Sequence, residues 1–177
     1  MPHIHNEVGQ YDQTASAFIV RTDGSLPKLL LHKHKLLGHY LQFGGHIELE
    51  ENLWEALEHE IIDESGYELS QLKILQPKDT IKELTEVTLH PTPLNIISHA
   101  FSNTHNHTDI EYAFTTFSEP NRKVKSGESN SIRAFSKKEL ELLSAKDIPE
   151  NVREIGIFIL DVCIKKWDEI STDLFKL

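Results

Sequence analysis

The sequence is poor in features that cross-link or anchor a chain. Cys163 is the single cysteine among 177 residues and lies in an apolar run, so no disulfide can form within the chain and a buried, inert thiol is expected. No apolar stretch approaches the ~18 residues of a membrane-spanning helix. Residues 1–7 lack the basic start and the apolar run of a secretory signal. We therefore expect a cytoplasmic protein with no membrane partner.

Positive charge is also scarce. The chain has 18 Lys and Arg against 28 Asp and Glu, which gives a net charge of −10. Such a surface repels the phosphates of nucleic acids, so no nucleic-acid partner is expected. The sequence also lacks a Gly-x-Gly-x-x-Gly turn, a Gly-Lys-Ser/Thr phosphate loop and a Gly-x-Ser-x-Gly elbow. An anionic substrate would be hard to attract to this chain without a metal ion.

The most informative stretch covers residues 45–67, GHIELEENLWEALEHEIIDESGY. Asn52 is a favourable N-cap, and Glu55 three residues later completes a variant of the capping box. Gly66 supplies the left-handed residue that commonly ends a helix. The stretch therefore predicts a loop that runs into a helix from about Leu53 to Ser65.

Two acids of this helix occupy unusual positions. Glu60 and Glu64 fall in the same sector of the helical wheel as the apolar residues, whereas Glu55 and Glu58 lie on the far side. Glu60 and Glu64 are also four residues apart and repel each other, and Glu64 lies at the negative end of the helix dipole. The alternative is a solvated acidic face. Crowded carboxylates beside an apolar stripe need a cation, and oxygen ligands alone favour magnesium, manganese or calcium over zinc.

The stretch resembles the signature of the Nudix hydrolases. That signature is a glycine, five residues, Glu, seven residues, Arg-Glu, an apolar residue, any residue, Glu-Glu, any residue, Gly and an apolar residue. The matching positions here are Gly45, Glu51, Glu60, Asp63, Glu64, Gly66 and Tyr67. Two positions depart from it: His59 stands where the family has Arg, and Asp63 where it has Glu.

The resemblance implies a fold and an activity. The fold is a Nudix-type α/β/α sandwich, with a mixed sheet, the signature loop and helix, and a C-terminal helix. We expect one domain over residues 1–177, with a core at about 14–145 and the C-terminal helix at about 150–168. The implied activity is hydrolysis of the diphosphate linkage of a nucleoside diphosphate joined to another group, with Mg²⁺ or Mn²⁺. Pairing of such domains is common in the family, so a homodimer is expected.

Candidate site residues follow from the motif. Glu60 and Glu64 are the first metal ligands and catalytic groups, and Asp63, on the edge of the same face, is the third ligand. The glycines that follow a short predicted strand at residues 41–43 are candidate contacts for the small-molecule diphosphate, together with the next residue; these are Gly44, Gly45 and His46.

Two further acids are assigned by the resemblance. In the family the acid at Glu51 is commonly held by the motif arginine, which is His59 here; helix capping is the alternative for Glu51. A ligand or general base often lies on the loop before the last core strand. Glu128 lies in such a polar loop, residues 119–131, and an ordinary loop acid is the alternative.

The histidines allow a second interpretation of one segment. His105 and His107, with Asp109, can bind a transition metal, or they can belong to a polar hairpin loop whose tip faces solvent, which we favour. The flanking segments 94–101 and 111–117 are predicted to pair as an antiparallel hairpin. Residues 79–89 alternate weakly, as a further strand would.

Two other functions compete with hydrolysis. A binding or sensor module that kept the fold and lost efficient catalysis is favoured by His59 and Asp63. A prenyl diphosphate isomerase on this fold relies on a catalytic cysteine, and Cys163 lies far from the motif, in the final predicted helix.

Overall fold

The computed structural model describes residues 7–175, which form a mixed sheet with helices on both faces. The strands of the described residues are β1 (Tyr11–Arg21), β2 (Lys28–Lys33), β3 (Tyr40–Leu41), β4 (Phe43–His46), β5 (Lys73–Gln76), β6 (Asn95–Ala100), β7 (Asn106–Thr116), β8 (Ile132–Phe135) and β9 (Asp168–Ser171). The helices are α1 (Leu53–Ser65), α2 (Lys137–Leu142), α3 (Glu150–Phe158) and α4 (Ile164–Lys166), with a π-helical turn at Ile159–Cys163 and 3₁₀ turns at Leu69–Gln71 and Thr172–Phe175.

The centre of the sheet is the parallel pair of β1 and β7, in register from Tyr11 opposite Asn106 to Arg21 opposite Thr116. The other strand pairs are antiparallel. The second edge of β1 is shared, because β4 pairs with its first half and β2 with its last three residues. The order along the sheet is β3-β2-β1-β7-β5-β9. This sharing leaves the short strand β4 beside the polar beginning of β1.

Side-chain alternation along β1 divides the apolar interior into two layers. Its odd-numbered apolar residues pack against α1; they are Ala15, Ala17 and Ile19. Its even-numbered apolar residues, Phe18 and Val20, pack against α2, α3 and the π-helical turn. The three-layer α/β/α arrangement expected from the resemblance is confirmed.

Helix α1 begins and ends where the sequence predicts. The Asn52 side chain accepts hydrogen bonds from the backbone N–H groups of Trp54 and Glu55, and the Glu55 side chain returns to the backbone N–H of Asn52. Gly66 has φ 76° and donates its N–H to the carbonyl oxygen of Ile62. These caps fix both ends of α1 and therefore the positions of the signature acids along it.

Some predicted elements are wrong. Residues 79–89 form no strand in the described chain, because Asp79 and Glu86 take positive φ values of 61° and 65° that interrupt an extended run. The predicted short strand at 41–43 is split between β3 and β4. The hairpin of β6 and β7 is confirmed, but β7 begins at Asn106, so His107 and Asp109 are strand residues rather than the tip of a loop.

The C-terminal helical region is confirmed with a local change. The π-helical turn separates α3 from α4, and β9 follows without having been predicted. Cys163 is fully buried in the layer opposite α1, where burial raises the pKa of its thiol to about 11. Among residues 7–175, no helix combines the length and the apolar character needed to cross a membrane.

Candidate active site

Glu60 and Glu64 lie one turn apart on the buried face of α1. Each is 6% exposed, so the solvated interpretation of these acids is wrong. Glu55 is exposed on the far side of the helix, as the wheel predicts. The sheet strand that lies across the buried acids is β4, whose Gly44 donates its backbone N–H to Oε2 of Glu64 at 2.8 Å.

The glycines of β4 let its backbone approach these acids. A Cβ atom on Gly45 would lie 2.2 Å from Oε1 of Glu60 and 2.7 Å from its Cδ. Gly44 has φ 149°, and a Cβ there would lie 2.3 Å from the carbonyl oxygen of Ala15. Position 44 therefore requires glycine because of the backbone, whereas a side chain at position 45 would displace the carboxylate of Glu60.

Among the described residues, no Lys or Arg forms a salt bridge with Glu60 or Glu64, although His59 and Lys125 lie near enough to affect the electrostatics of Glu60. Burial raises the pKa of Glu64 to about 9 and that of Glu60 to about 7. Oε1 of Glu60 is buried and finds no hydrogen-bond partner within residues 7–175. Nδ1 of His32 lies 3.7 Å from Oε1 of Glu64, but burial lowers the pKa of His32 to about 4, so the imidazole is neutral. The carboxylate oxygens of this pair could hold a hard divalent cation.

The loop of residues 119–131 is attached to the C-terminal end of α1. Its Lys125 donates from the backbone to the carbonyl oxygen of Asp63 at 2.9 Å and from Nζ to Oδ2 of Asp63 at 2.5 Å. Arg122 donates its backbone N–H to the carbonyl oxygen of Gly66 at 3.0 Å. The docked loop brings Glu128 close enough for its charge to raise the pKa of both Glu60 and Glu64.

The two departures from the signature contact each other. Nε2 of His59 lies 3.0 Å from Oδ2 of Asp63, and Nδ1 lies 3.2 Å from Oε1 of Glu51. His59 therefore bridges the acid before the helix to the acid near its end, and it occupies the place that the resemblance gives to arginine. Asp63 is engaged by both His59 and Lys125.

His46 points away from the acid pair. Its Nε2 lies 3.3 Å from Oδ2 of Asp12, on the other face of the sheet. His105 and His107 are 6% and 7% exposed and lie beside it, so the expectation of a solvent-facing loop tip is wrong. The burial follows from the register of β7 on β1, which the sequence did not reveal.

Sequence reasoning named Asp109 but missed Asp12 and Glu111, two further acids on that second face. Asp109 accepts hydrogen bonds from the hydroxyl groups of Thr14 and Ser16 at 2.8–2.9 Å, and Glu111 accepts one from Asn95 at 3.1 Å. The signal that could have found them is the alternation of polar residues at the start of β1, which includes Asp12.

The comparisons with known proteins identify the family. No family model and no curated protein sequence matches the chain. Among solved structures, a hydrolase of the Nudix family from Clostridium perfringens has a TM-score of 0.70 and 32% sequence identity, over 85% of this chain and 97% of that chain. This chain belongs to the Nudix hydrolase family. It is therefore an enzyme of the acid-anhydride, diphosphate-hydrolysing type.

Other Nudix-like structures are more distant and show the fold alone. A C. elegans Ap4A hydrolase in a binary complex has a TM-score of 0.62 and 15% identity, over 83% of this chain and 94% of that chain. A UDP-X diphosphatase has a TM-score of 0.57 and 15% identity, over 87% of this chain and 64% of that chain.

Burial of Glu64 in this Nudix enzyme predicts a pH-dependent stability. Between about pH 7 and 9, Glu64 is protonated in the folded, metal-free protein but ionised in the unfolded chain, where its pKa is near 4.5. The folded state then binds more protons, so the free energy of unfolding falls as pH rises, by at most about 1.4 kcal/mol per pH unit. Urea unfolding in a chelator measures this slope.

The control for that slope is Glu64→Gln, which removes the titrating group. The slope should be smaller in this variant, and smaller in the parent when Mg²⁺ holds the ionised form. His32 contributes little in this window, because its lowered pKa of about 4 in the folded state and its ordinary value of 6.5 both lie below pH 7. Equal slopes in parent and variant would show that Glu64 keeps an ordinary pKa.

His59 and Asp63, the two residues that depart from the Nudix signature, are in contact, so their substitutions should have coupled effects on activity. His59→Arg makes the positive charge permanent and should raise activity or flatten its pH profile. Because Asp63 is the shorter acid that fits His59, the effect should be larger when Asp63→Glu accompanies it. Since His59 and its partners are partly exposed, we expect stability to change by less than about 1 kcal/mol. Steady-state kinetics of both single variants and the double variant test the coupling. Additive effects would show that the pair is silent.

Proposed function

We propose that this enzyme hydrolyses the diphosphate linkage of a nucleoside diphosphate joined to another group, and that it depends on Mg²⁺ or Mn²⁺. The observation that carries the proposal is the buried pair of Glu60 and Glu64, which lies against the glycines of β4 and forms no salt bridge with Lys or Arg in the described chain. The family supplies the hydrolytic activity. The dependence on a divalent metal ion and the nucleoside diphosphate group of the substrate are our inference.

The residues of the site fit a hard divalent cation. All of the donors at the pair are carboxylate oxygens, the ligand type that Mg²⁺ and Mn²⁺ prefer. The buried oxygen of Glu60 has no hydrogen-bond partner in residues 7–175, and the lack of a side chain on Gly45 lets this carboxylate lie against the backbone of β4. When bound, the ion supplies the charge that offsets the diphosphate oxygens and acidifies an attacking water.

Each residue is then given a role. Glu60 and Glu64 hold the ion, and Gly44 orients Glu64 through its backbone N–H. Glu128, beside the pair, accepts the proton of the attacking water. Asp63 was expected as a third ligand, but its Oδ2 already contacts Lys125 and His59. We therefore assign Asp63 to positioning the loop that carries Glu128.

The substrate class rests on chemistry and on structural neighbours. The buried acids select a substrate that shares a divalent cation with them, as a diphosphate does. Two neighbours are, by their names, an Ap4A hydrolase and a UDP-X diphosphatase, whose substrates contain nucleoside diphosphate groups. Prenyl diphosphate isomerisation is disfavoured, because Cys163 is buried in the opposite layer and carries a thiol of raised pKa.

The test is product release from a panel of nucleoside diphosphate derivatives, with Mg²⁺, with Mn²⁺ and with a chelator. Metal-dependent cleavage by the parent, lost in Glu64→Gln, supports the proposal and names the substrate. If no compound is cleaved but one of them raises the melting temperature in a metal-dependent manner, the binding module replaces the hydrolase. Cleavage that persists in the chelator would contradict the role of the metal.

A further inference from the structure

A second group of metal-ligating side chains lies on the face of the sheet opposite α1. Asp12 belongs to β1, His46 ends β4, His107 lies in β7 and His105 immediately precedes β7. Each residue offers one ligand atom, and these four atoms all lie within 4.8 Å of one another. The Asp12 side chain is fully buried, His105 and His107 are nearly so, and the His46 side chain is 11% exposed. Residues from three separate parts of the chain therefore converge at one interior point.

The distances fit a tetrahedral ion. Oδ2 of Asp12 lies 3.0 Å from Nε2 of His105 and 3.3 Å from Nε2 of His46. Two ligands about 2.0 Å from a tetrahedral zinc ion lie ~3.3 Å from each other. The rings of His46 and His105 stand nearly perpendicular to that of His107, at 82° and 81°.

The donor set differs from that of the acid pair. Three imidazole nitrogens and one carboxylate oxygen suit Zn²⁺, whereas Glu60 and Glu64 offer only oxygen. Four protein ligands are typical of structural zinc sites, because catalytic sites keep one position open. We propose that Asp12, His46, His105 and His107 bind a structural Zn²⁺ ion. This proposal goes beyond the hydrolysis described above and does not depend on it.

The zinc site and the acid pair lie on opposite faces but share β4. His46 pairs with Thr14 and Gly45 pairs with Ala15, so these consecutive residues of β4 point to opposite sides of the sheet. Gly45 faces Glu60, and His46 faces Asp12. The ion would join the end of β4 to β1 and β7, immediately before the loop that leads into α1. Its structural effect is to hold the backbone that approaches the catalytic acids.

The alternative is a metal-free network in which the Asp12 carboxylate binds protonated histidine. The two interpretations differ in metal content. The full chain, produced without a histidine tag and dialysed against Mg²⁺, should retain about one zinc per chain by elemental mass spectrometry. Glu64→Gln should retain the same amount, because it alters only the oxygen site. His39→Gln is the matched control, since it removes an exposed imidazole that contacts Lys146 elsewhere.

His107→Gln should lose most of the zinc, and a chelator should lower the melting temperature of the parent but not of this variant. Zn²⁺ should restore the parent, while Mg²⁺ should not. If His107→Gln fails to fold, the stripped parent still decides the question: Co²⁺ should give the intense visible absorption of a four-coordinate site. Parent protein without zinc, with no cobalt spectrum and no stabilisation by Zn²⁺, would overturn the proposal. A loss of zinc in Glu64→Gln equal to that in His107→Gln would also overturn the proposal.

Discussion

Glu60→Gln and Glu64→Gln should each lower turnover by roughly 10²–10³-fold, the cost of losing one group that stabilises charge during reaction. The amide keeps the shape of the side chain but removes the negative charge that holds the divalent cation. The metal-free fold should survive and become slightly more stable, because an amide avoids the free-energy cost of burying an acid whose pKa is raised in the folded state. Turnover at saturating Mg²⁺ and urea unfolding in chelator measure the two effects.

The matched control for this pair is Glu58→Gln, on the same helix but outside the buried face. It should leave both turnover and stability within experimental error, since surface changes rarely exceed about 0.5 kcal/mol. Folding lost in both Glu60 and Glu64 variants, with no effect of metal on the parent, would count against the site. Full activity in either variant would remove that residue from the ligand set.

Gly45→Ala should act on the metal site while Gly44→Ala acts on the fold. The new Cβ at position 45 would collide with the carboxylate of Glu60, which lies 2.2 Å away and is the end of a side chain that can move. Metal affinity and turnover should fall steeply, with stability nearly unchanged. At position 44 the collision is with the backbone oxygen of Ala15 at 2.3 Å, and φ is 149°. That change should destabilise the fold by more than the ~1–3 kcal/mol of backbone strain alone.

Gly9→Ala separates strain from collision, because Gly9 has φ 86° but nothing within 4 Å of the added Cβ. Its loss of stability should therefore be smaller than that of Gly44→Ala. Calorimetric titration with Mg²⁺ measures the metal affinity of all three variants, and urea unfolding measures their stability. If Gly45→Ala binds Mg²⁺ like the parent, Glu60 does not lie where the ion is held.

The prediction of α1 succeeded because its determinants are local. A cap, a glycine stop and a period of 3.6 residues lie within one short stretch, so the sequence alone locates both ends of the helix. The same period places Glu60 and Glu64 on the buried face before any tertiary contact is known. The fold class followed from the signature and the order of strands and helices.

The loop acids required tertiary contacts. Asp63 lies on the edge of the buried face in sequence terms, but its partner Lys125 is 62 residues away. No local pattern shows that the loop of residues 119–131 is attached to the end of α1, or that Glu128 lies beside the acid pair. The sequence could therefore name these acids without distinguishing a ligand from a positioning residue.

What the sequence determined by itself is the signature helix, with both of its ends, and the position of Glu60 and Glu64 on its buried face. What only the tertiary structure decided is the meeting of Asp12, His46, His105 and His107. These residues become neighbours through the parallel register of β1 on β7 and the antiparallel pairing of β4 with β1. A shift of one residue in either pairing would turn the side chains to the other face. Strand register depends on the packing of distant segments, so a single sequence does not reveal it.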